Sequence, residues 1–331
     1  MLMNKKERVK AVLNGNTPDR TPVSFWHHFE GHQIYGEDAV AAHIEHLTEF
    51  DLDFLKVMND NDFPKPSGCS IEEVSQLAFV DSVSGNEVPF LRQLELLNSL
   101  RSVLGPDIPI TSTIFNPWAT LRQLCSPTPP SHGPPKLEFK PSVADGRISE
   151  FLASDRKAVG DALLRIAEIL GSFAARCIEA GADGVFLSVR DDWVDTDQNK
   201  TGTYDELVKP ADDIICANIK AGWFNMLHIC GAAIKFDRFA KYPFQLLNWA
   251  DRKAGPSLAE GTAATEMAVA GGVDNLTTLP TGTPQACTNE VYDALAQMKG
   301  KPIFITPGCT YDPKLVPKEN LFAVCRAARD K

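Results

Sequence analysis

Short apolar runs bounded by turn residues recur along the chain, and longer stretches with helical spacing lie between them. Each run is short and almost continuously apolar, which is typical of strands that are buried on both faces of a parallel sheet. The pattern predicts eight strands, at residues 22–26, 54–58, 108–115, 184–189, 225–229, 244–249, 267–271 and 302–306.

Most gaps between these runs carry apolar residues at helical spacing. Residues 158–180 predict a helix that ends before Gly181, because glycine is common directly after a helix. A second helix is predicted to begin near Thr203, with that residue as its cap. A third is predicted over residues 283–298, with Pro284 in its first turn. Eight strand–helix units, without a Gly-x-Gly-x-x-Gly after the first strand, favour a (β/α)8 TIM barrel over a doubly wound sheet.

A proline-dense segment at residues 125–135 interrupts this alternation. Proline lacks a backbone donor, so the segment is expected to be neither a regular helix nor a central strand. It lies between the third and fourth predicted strands, which favours a long loop near the mouth of the barrel, and a lid, over a domain linker. No repeat or charge block marks a second domain, so a single domain over residues 1–331 is predicted.

The composition, 44% hydrophobic and 23% charged, is that of an ordinary globular protein. A net charge of -10 and an isoelectric point near 5.2 argue against nucleic acid and anionic membranes as partners. No apolar run approaches the ~20 residues that span a bilayer, and the charged start of the chain is not that of a secretory signal. The eight cysteines have no regular spacing and suggest no disulfide framework, so a cytoplasmic location is expected.

Two soft metal ligands follow one predicted strand, and a third follows another. His228 and Cys230 lie in the run 225–231, and Cys309 ends the run 303–309. Two thiolates and one imidazole suit Zn²⁺, and three protein ligands leave the open position of a catalytic site. The alternative is that the cysteines are small buried apolar residues and the histidine is a hydrogen-bonded core residue. The other six cysteines are predicted to be buried thiols: Cys69, Cys125, Cys177, Cys216, Cys287 and Cys325.

Other polar residues follow predicted strands, at the end of a parallel barrel where catalytic groups collect. His27, His28, Asp191, Asp192 and Asp251 are candidates for acid–base catalysis. For each of them a packing, turn or ion-pair role is the alternative; Asp251, for instance, is followed directly by an arginine. The candidates for substrate binding are Asn59, Asp60, Asn116, Asn248, Asp274 and Tyr311, for which capping and turn roles are the alternative.

Several segments resemble motifs of the uroporphyrinogen decarboxylase superfamily: residues 6–23, 227–231, 248–251, 271–274 and 307–309. The resemblance runs nearly from end to end, and the order of its motifs agrees with the predicted strands. It implies a (β/α)8 barrel with an N-terminal helical arm, as well as an enzyme that is a monomer or a homodimer.

The superfamily contains decarboxylases and corrinoid-linked methyltransferases. The decarboxylases carry an Arg-Gln-Ala-Gly-Arg segment after the first strand, and it holds the carboxylates of a tetrapyrrole. In this chain residues 25–33 contain no arginine and include Glu30. Arginine is the side chain that binds carboxylates bidentately, so its absence disfavours the decarboxylase. In the methyltransferases a His-x-Cys pair and a distant cysteine bind zinc, which activates a thiol that takes a methyl group from methyl-cobalt.

His228, Cys230 and Cys309 match that ligand set residue by residue. The resemblance therefore implies a zinc-dependent methyltransferase that moves a methyl group from a corrinoid to a thiol or related acceptor, such as a folate. The corrinoid is either a free cobalamin or one bound to a partner protein, and the acceptor is a small molecule. Water, Asp191 and Asp251 are the candidates for the fourth ligand. The alternatives are a uroporphyrinogen decarboxylase and a barrel that binds a small ligand without catalysis.

Overall fold

A computed structural model of the chain describes residues 2–127 and 140–330. It contains one parallel sheet in which each strand pairs with the next strand along the chain. Its seven strands are β1 (Leu55–Val57), β2 (Ile110–Phe115), β3 (Gly184–Arg190), β4 (Met226–Cys230), β5 (Leu246–Trp249), β6 (Ala268–Val273) and β7 (Phe304–Pro307).

Helices precede the sheet, connect its strands and follow it, as parallel strand order requires. Shorter turns of 3-10 helix cover Gly31–Ile34, Pro66–Gly68 and Val74–Ser82, and a π-helical turn covers Tyr204–Val208. The α-helices are α1 (Lys5–Leu13), α2 (Gly36–Glu49), α3 (Val88–Leu104), α4 (Pro117–Cys125), α5 (Val143–Ser154), α6 (Arg156–Glu179), α7 (Lys209–Asn218), α8 (Phe236–Phe239), α9 (Leu258–Ala264), α10 (Thr278–Thr281), α11 (Pro284–Met298) and α12 (Lys318–Arg329).

The first of the eight predicted strands is a single bridge and not a regular strand. Val23 pairs with Ile305 of β7, and the backbone N–H of Ser24 donates to the Ile305 carbonyl at 3.2 Å. On the other side the N–H of Asp53 donates to the Val23 carbonyl at 2.8 Å. Pro22 has no N–H to extend this ladder, which limits the pairing. The structure is thus a parallel α/β fold with seven regular strands, each overlapping one of the other predicted runs.

One face of the sheet is lined by an apolar cluster that includes Phe54, directly before β1, and Phe304 of β7. The rings of Phe54 and Phe304 lie 5.8 Å apart, edge to face, which shows that the sheet is strongly curled. We call this side, which carries Phe186 and Met226, the inner face of the sheet. Val9 and Val12 of α1 pack into the same cluster near the N-terminal ends of the strands. The N-terminal helix therefore covers that end, and the C-terminal ends are left for a site.

Two of the predicted helix ends agree with the structure, but Thr203 is not a cap: its hydroxyl donates to the carbonyls of Asn199 and Lys200, and the π-helical turn follows it. Thr283 caps α11 by accepting from the Ala286 N–H, and α6 ends two residues before Gly181. The expected lid lies mostly outside the described residues, since α4 ends at Cys125 and residues 128–139 are not described. All eight cysteines are free thiols; Cys69 is exposed because it lies in a loop, so the prediction that it is buried is wrong. Among the described residues no helix is both long and apolar enough to cross a membrane.

Candidate metal centre

The centre begins on β4, whose alternate residues face the same side of the sheet. Met226 belongs to the cluster on the inner face, so His228 and Cys230 point to that side as well. The strand register sets His228 opposite Ser188 of β3 and Asn248 of β5. This arrangement places an imidazole and a thiol on consecutive inward positions at the C-terminal end of one strand.

Cys309 reaches the same place from β7 because Gly308 allows an unusually close approach of two backbones. A Cβ at residue 308 would lie 2.7 Å from the Cα of Ala250, which is closer than real side chains come. The Gly308 N–H donates to the Val273 carbonyl at 3.1 Å and fixes this turn against β6. The ligand atoms of His228, Cys230 and Cys309 lie within 4.8 Å of one another.

The tautomer of His228 is set by its neighbour Asn248. The amide nitrogen of Asn248 donates to the carbonyls of Ala270 and Pro307 and to the hydroxyl of Thr306, at 3.0–3.2 Å. Its oxygen is therefore turned to His228 and accepts from Nδ1 at 2.6 Å. A proton on Nδ1 leaves the lone pair of Nε2 for a ligand, which is how metal-binding histidines are usually oriented.

The Nε2 atom of His228 is buried and has no hydrogen-bond partner in the described part of the chain. A buried polar atom without a partner costs about 1–3 kcal/mol, so native proteins rarely leave one. The two thiols provide the rest of a soft donor set. A hydrogen bond from the Cys309 thiol lowers the pKa of Cys230, and the Cys230 sulfur in turn raises the pKa of Cys309. An imidazole nitrogen without a hydrogen-bond partner beside two thiols fits a Zn²⁺ site.

Lys56 is a charged residue near the centre that the sequence interpretation missed. It lies on β1, is 4% exposed and points to the inner face, with Nζ 4.4 Å from the ring centroid of Phe186. The Phe186 ring is in turn stacked on the His228 imidazole, with centroids 5.3 Å apart. Burial lowers the pKa of Lys56 to about 7. The available signal was a lysine inside an apolar predicted strand.

Asp191 and Asp192 follow β3, where they were predicted, but both are buried in ion pairs. Asp191 Oδ2 accepts from Arg238 at 3.0 Å, and Asp192 accepts twice from Arg190, at 2.6 and 3.1 Å. The ion-pair alternative therefore describes both residues, and because both are buried the turn that follows β3 is not solvated there. Burial raises the pKa of Asp191 to about 6. Gly231, whose φ of 128° suits glycine, lets the chain beyond Cys230 pass close to the Asp192 carboxylate.

The carboxylate of Asp251 also interacts with groups other than the thiols. Its Oδ1 accepts from the Gly272 N–H at 3.0 Å, and Oδ2 lies 3.6 Å from Nε of Arg252, so the ion-pair alternative holds. Burial raises its pKa to about 6. Among the described residues, only the imidazole and the two thiols form a cluster with metal-ligand spacing, so the structure favours neither Asp251 nor Asp191 as the fourth ligand.

His27, His28, Asp60 and Tyr311 form a second polar group at the same end of the sheet. His28 Nδ1 lies 2.5 Å from Asp60 Oδ1, and the other carboxylate oxygen accepts from the Phe29 N–H at 2.8 Å. His27 donates from Nδ1 to the His28 carbonyl at 2.8 Å, and its ring lies 5.3 Å from that of Tyr311. Burial lowers the pKa of His27 and favours its neutral form.

The remaining predicted substrate contacts make turn and capping interactions. Asn116 caps α4, where its side chain accepts from the Ala119 N–H at 3.0 Å. Asn59 accepts from the Asn61 N–H at 3.2 Å, and Asp274 accepts from the Leu276 N–H at 2.8 Å. Local backbone contacts therefore account for three residues that the sequence marked as candidates: Asn59, Asn116 and Asp274.

Comparison with known proteins identifies the family. The family model for uroporphyrinogen decarboxylase (URO-D) matches residues 50–331. The chain belongs to the uroporphyrinogen decarboxylase family. The family resemblance drawn from the sequence is thereby confirmed. No curated protein sequence matches the chain.

Solved structures share the fold of this family member. A methyltransferase from Methanosarcina mazei is similar over 98% of both chains, with a TM-score of 0.70 and 17% sequence identity. A B12-independent methionine synthase from Shewanella sp. W3-18-1 matches 71% of this chain and 64% of its own, with a TM-score of 0.44 and 14% identity. At these identities the first similarity establishes the fold alone.

Proposed function

We propose that this protein is a zinc-dependent methyltransferase that moves a methyl group from a corrinoid to a thiol. The observation that carries the proposal is the buried, unpartnered Nε2 of His228 beside the thiols of Cys230 and Cys309. The similarity to a protein described as a methyltransferase is consistent with it. We further propose that residues 22–24 complete a closed (β/α)8 barrel within a single domain, since they bond to β7 and to Asp53, two residues before β1.

His228, Cys230 and Cys309 would hold the ion, and the chain's other groups would prepare this set for it. A bound zinc ion supplies a positive charge that lowers the pKa of a thiol acceptor and makes it nucleophilic at neutral pH. Asn248 keeps Nε2 of His228 free of its proton, because it accepts the hydrogen bond from Nδ1. His228 and Cys309 are buried, which limits access of water that would compete for the methyl group.

The proposed transfer is a nucleophilic displacement. A sulfur lone pair forms the new S–C bond to the methyl carbon, and the Co–C bond breaks with both of its electrons left on cobalt. The thiol proton goes to solvent. The corrinoid is either free or carried by a partner protein.

Decarboxylation of a porphyrinogen is less well supported by the site. That substrate would need guanidinium groups for its carboxylates. Arg190 and Arg238, the arginines beside the end of β3, are already paired with Asp192 and Asp191. A barrel that binds a small ligand without catalysis remains the alternative outside enzymes, and the test below separates the three.

The first experiment measures metal content by elemental mass spectrometry on protein purified without added metal. About one zinc per chain is expected for the wild type and none for Cys309→Ser, because two protein ligands hold zinc poorly. Cys177→Ser is the matched control, since Cys177 is a free, buried thiol on α6. It is expected to keep its zinc.

The zinc-loaded protein is then incubated with methylcobalamin and a panel of thiols, and separately with a porphyrinogen. Loss of the Co–C absorption together with a methylated thiol supports the proposal. Wild-type protein without metal, or one that decarboxylates the porphyrinogen, contradicts it. Full zinc with neither reaction would favour the binding protein.

A further inference from the structure

Lys56 carries a buried amino group whose hydrogen-bond and ring partners are all uncharged. Its Nζ donates to the thioether sulfur of Met58 at 3.0 Å, and lies 6.0 Å from the ring centroid of Trp26 and 4.4 Å from that of Phe186. No carboxylate in the described part of the chain lies within ion-pair distance of it. The nearby carboxylate of Asp60 is engaged with His28 and a backbone N–H.

This environment compensates only part of the cost of burying an ammonium group. A thioether is a weak acceptor, and a cation–π contact is weaker than a contact with an opposite charge. Removing a full charge from water is costly unless an opposite charge is close. The depressed pKa of Lys56, which burial causes, is the expected consequence. An anion that enters the site would supply the missing partner.

The geometry ties this charge to the metal centre. Phe186 contacts both Lys56 and His228, since the Lys56 amino group lies over its ring and the His228 imidazole is stacked on it. The charge on Lys56 also interacts with the sulfur atoms of Cys309 and Cys230. Any negative charge gained at the three-ligand cluster is therefore felt by the ammonium through an apolar, water-poor interior, where charges are weakly screened.

Charge counting shows which kind of ligand gains from Lys56. A divalent ion held by two thiolates, from Cys230 and Cys309, and by the neutral imidazole of His228 is neutral overall. A thiolate in the fourth position makes the centre negative by one charge, and a neutral acceptor leaves it neutral. Only the thiolate is therefore stabilised by a nearby cation.

We propose that Lys56 favours an acceptor that binds as a thiolate over one that binds through a neutral nitrogen, as the reacting nitrogen of a folate would. This inference rests on the proposed function. Binding as an anion would break the S–H bond, release its proton to solvent and leave the thiolate sulfur beside the cation that His228, Cys230 and Cys309 would hold. Lys56 acts through its field, as a positioning residue for the anionic ligand.

The test uses the full chain loaded with Co²⁺, whose visible spectrum reports each new ligand. The protein is titrated with 2-mercaptoethanol, which binds as an anion, and with imidazole, which binds as a neutral ligand. Lys56→Met removes the charge and keeps an unbranched side chain. Lys10→Met is the matched control, since Lys10 makes the same kind of contact, 4.8 Å from the ring centroid of Trp223, at the opposite end of the sheet.

For Lys56→Met we expect the dissociation constant of 2-mercaptoethanol to rise at least tenfold and that of imidazole to stay within twofold of the wild-type value. Lys10→Met is expected to change neither. An equal effect on both ligands, or none on the thiol, overturns the inference. A merely structural role would weaken both ligands together. If Lys56→Met does not fold, Lys56→Gln answers the same question.

The same titration distinguishes failure of the proposed metal site from failure of the proposed role of Lys56. Wild-type protein that takes up no Co²⁺ contradicts the metal site and the inference with it. If the wild type takes up one Co²⁺, but Lys56→Met binds each of the two ligands as tightly as the wild type does, the inference alone is contradicted.

Discussion

At the scale of single residues, the chemistry of His228 depends on the amide of Asn248. Three acceptors hold the amide nitrogen, so the oxygen has one orientation and the imidazole one tautomer. A side chain that orients a metal-binding histidine typically changes metal affinity 10–100-fold. Asn248 was predicted as a substrate contact, and the structure places it opposite His228, one of the candidate ligands, in the strand register. The sequence gives the residue types at the ends of strands, but it does not give which residues of neighbouring strands lie opposite them.

We expect Asn248→Leu to weaken zinc binding by roughly 10–100-fold, measured by competition with a chromophoric chelator. The variant removes the acceptor of the Nδ1 proton and lets the tautomer with a protonated Nε2 compete. Asn248→Asp keeps an acceptor at the same place and is expected to bind zinc at least as well as the wild type. Unchanged affinity in the leucine variant would show that Asn248 does not orient the ligand.

At the scale of elements, the apolar runs located seven strands because each is buried on both faces, and burial demands continuous apolar sequence. The first run differs because Pro22 cannot donate to a ladder. The three metal-ligand candidates were also visible, since each follows or ends such a run. Lys56 was hidden for the same reason: inside an apolar run, a single lysine gives no sign of which face it occupies. The tight turn at Gly308 depends on its distance from Ala250, which sequence does not contain.

The turn after β7 offers a direct test, because a methyl group at residue 308 would collide with the backbone of Ala250. Gly308→Ala is expected to move Cys309 away from β4 and to lower zinc content by at least half, at a cost in stability of about 1–3 kcal/mol. Gly146→Ala, on α5, is a useful control for substitution of an exposed glycine, since no atom lies near its Cβ position and its φ is not positive. Zinc content is measured after gel filtration. A full complement of zinc in Gly308→Ala would mean that the turn tolerates the displacement.

A buried carboxyl on α7 couples three elements and makes stability depend on pH. Asp212 accepts from Asn116 at the start of α4 and from the Tyr242 hydroxyl before β5, at 3.1 and 3.0 Å. Burial raises its pKa from the usual 3.8 to about 7. Between these pH values the folded chain holds a proton that the unfolded chain has lost. The stabilisation of the folded state that Asp212 contributes is therefore full below about pH 4 and is lost as the pH rises through about 7.

Asp212→Asn is expected to remove this pH dependence. In the wild type, it changes the free energy of unfolding by on the order of 3–4 kcal/mol between pH 4 and pH 8. Urea unfolding at several pH values measures it. Asp213→Asn, at the exposed neighbouring position paired with Lys209, is expected to retain the wild-type slope. Identical slopes in both variants would show that another group is responsible.

At the scale of the whole molecule, the three ligand candidates join strands that are not neighbours. His228 and Cys230 end β4, Cys309 follows β7, and two strands lie between them in the sheet. A metal held by all three would therefore tie the two sides of the site together. The fold itself does not depend on such a tie, because extended apolar clusters fill both the inner face and the space between the sheet and its helices.

Removal of the metal is accordingly expected to lower stability and to leave the fold intact. A ligand present at 1,000 times its dissociation constant stabilises the folded state by about 4 kcal/mol, so a chelator should lower the melting temperature by several degrees. Far-UV circular dichroism should be unchanged, because the apolar clusters remain. In Cys309→Ser the chelator should have no further effect. Complete unfolding by the chelator would assign the metal a structural role, and an unchanged melting temperature in the wild type would mean that nothing bridges β4 and β7.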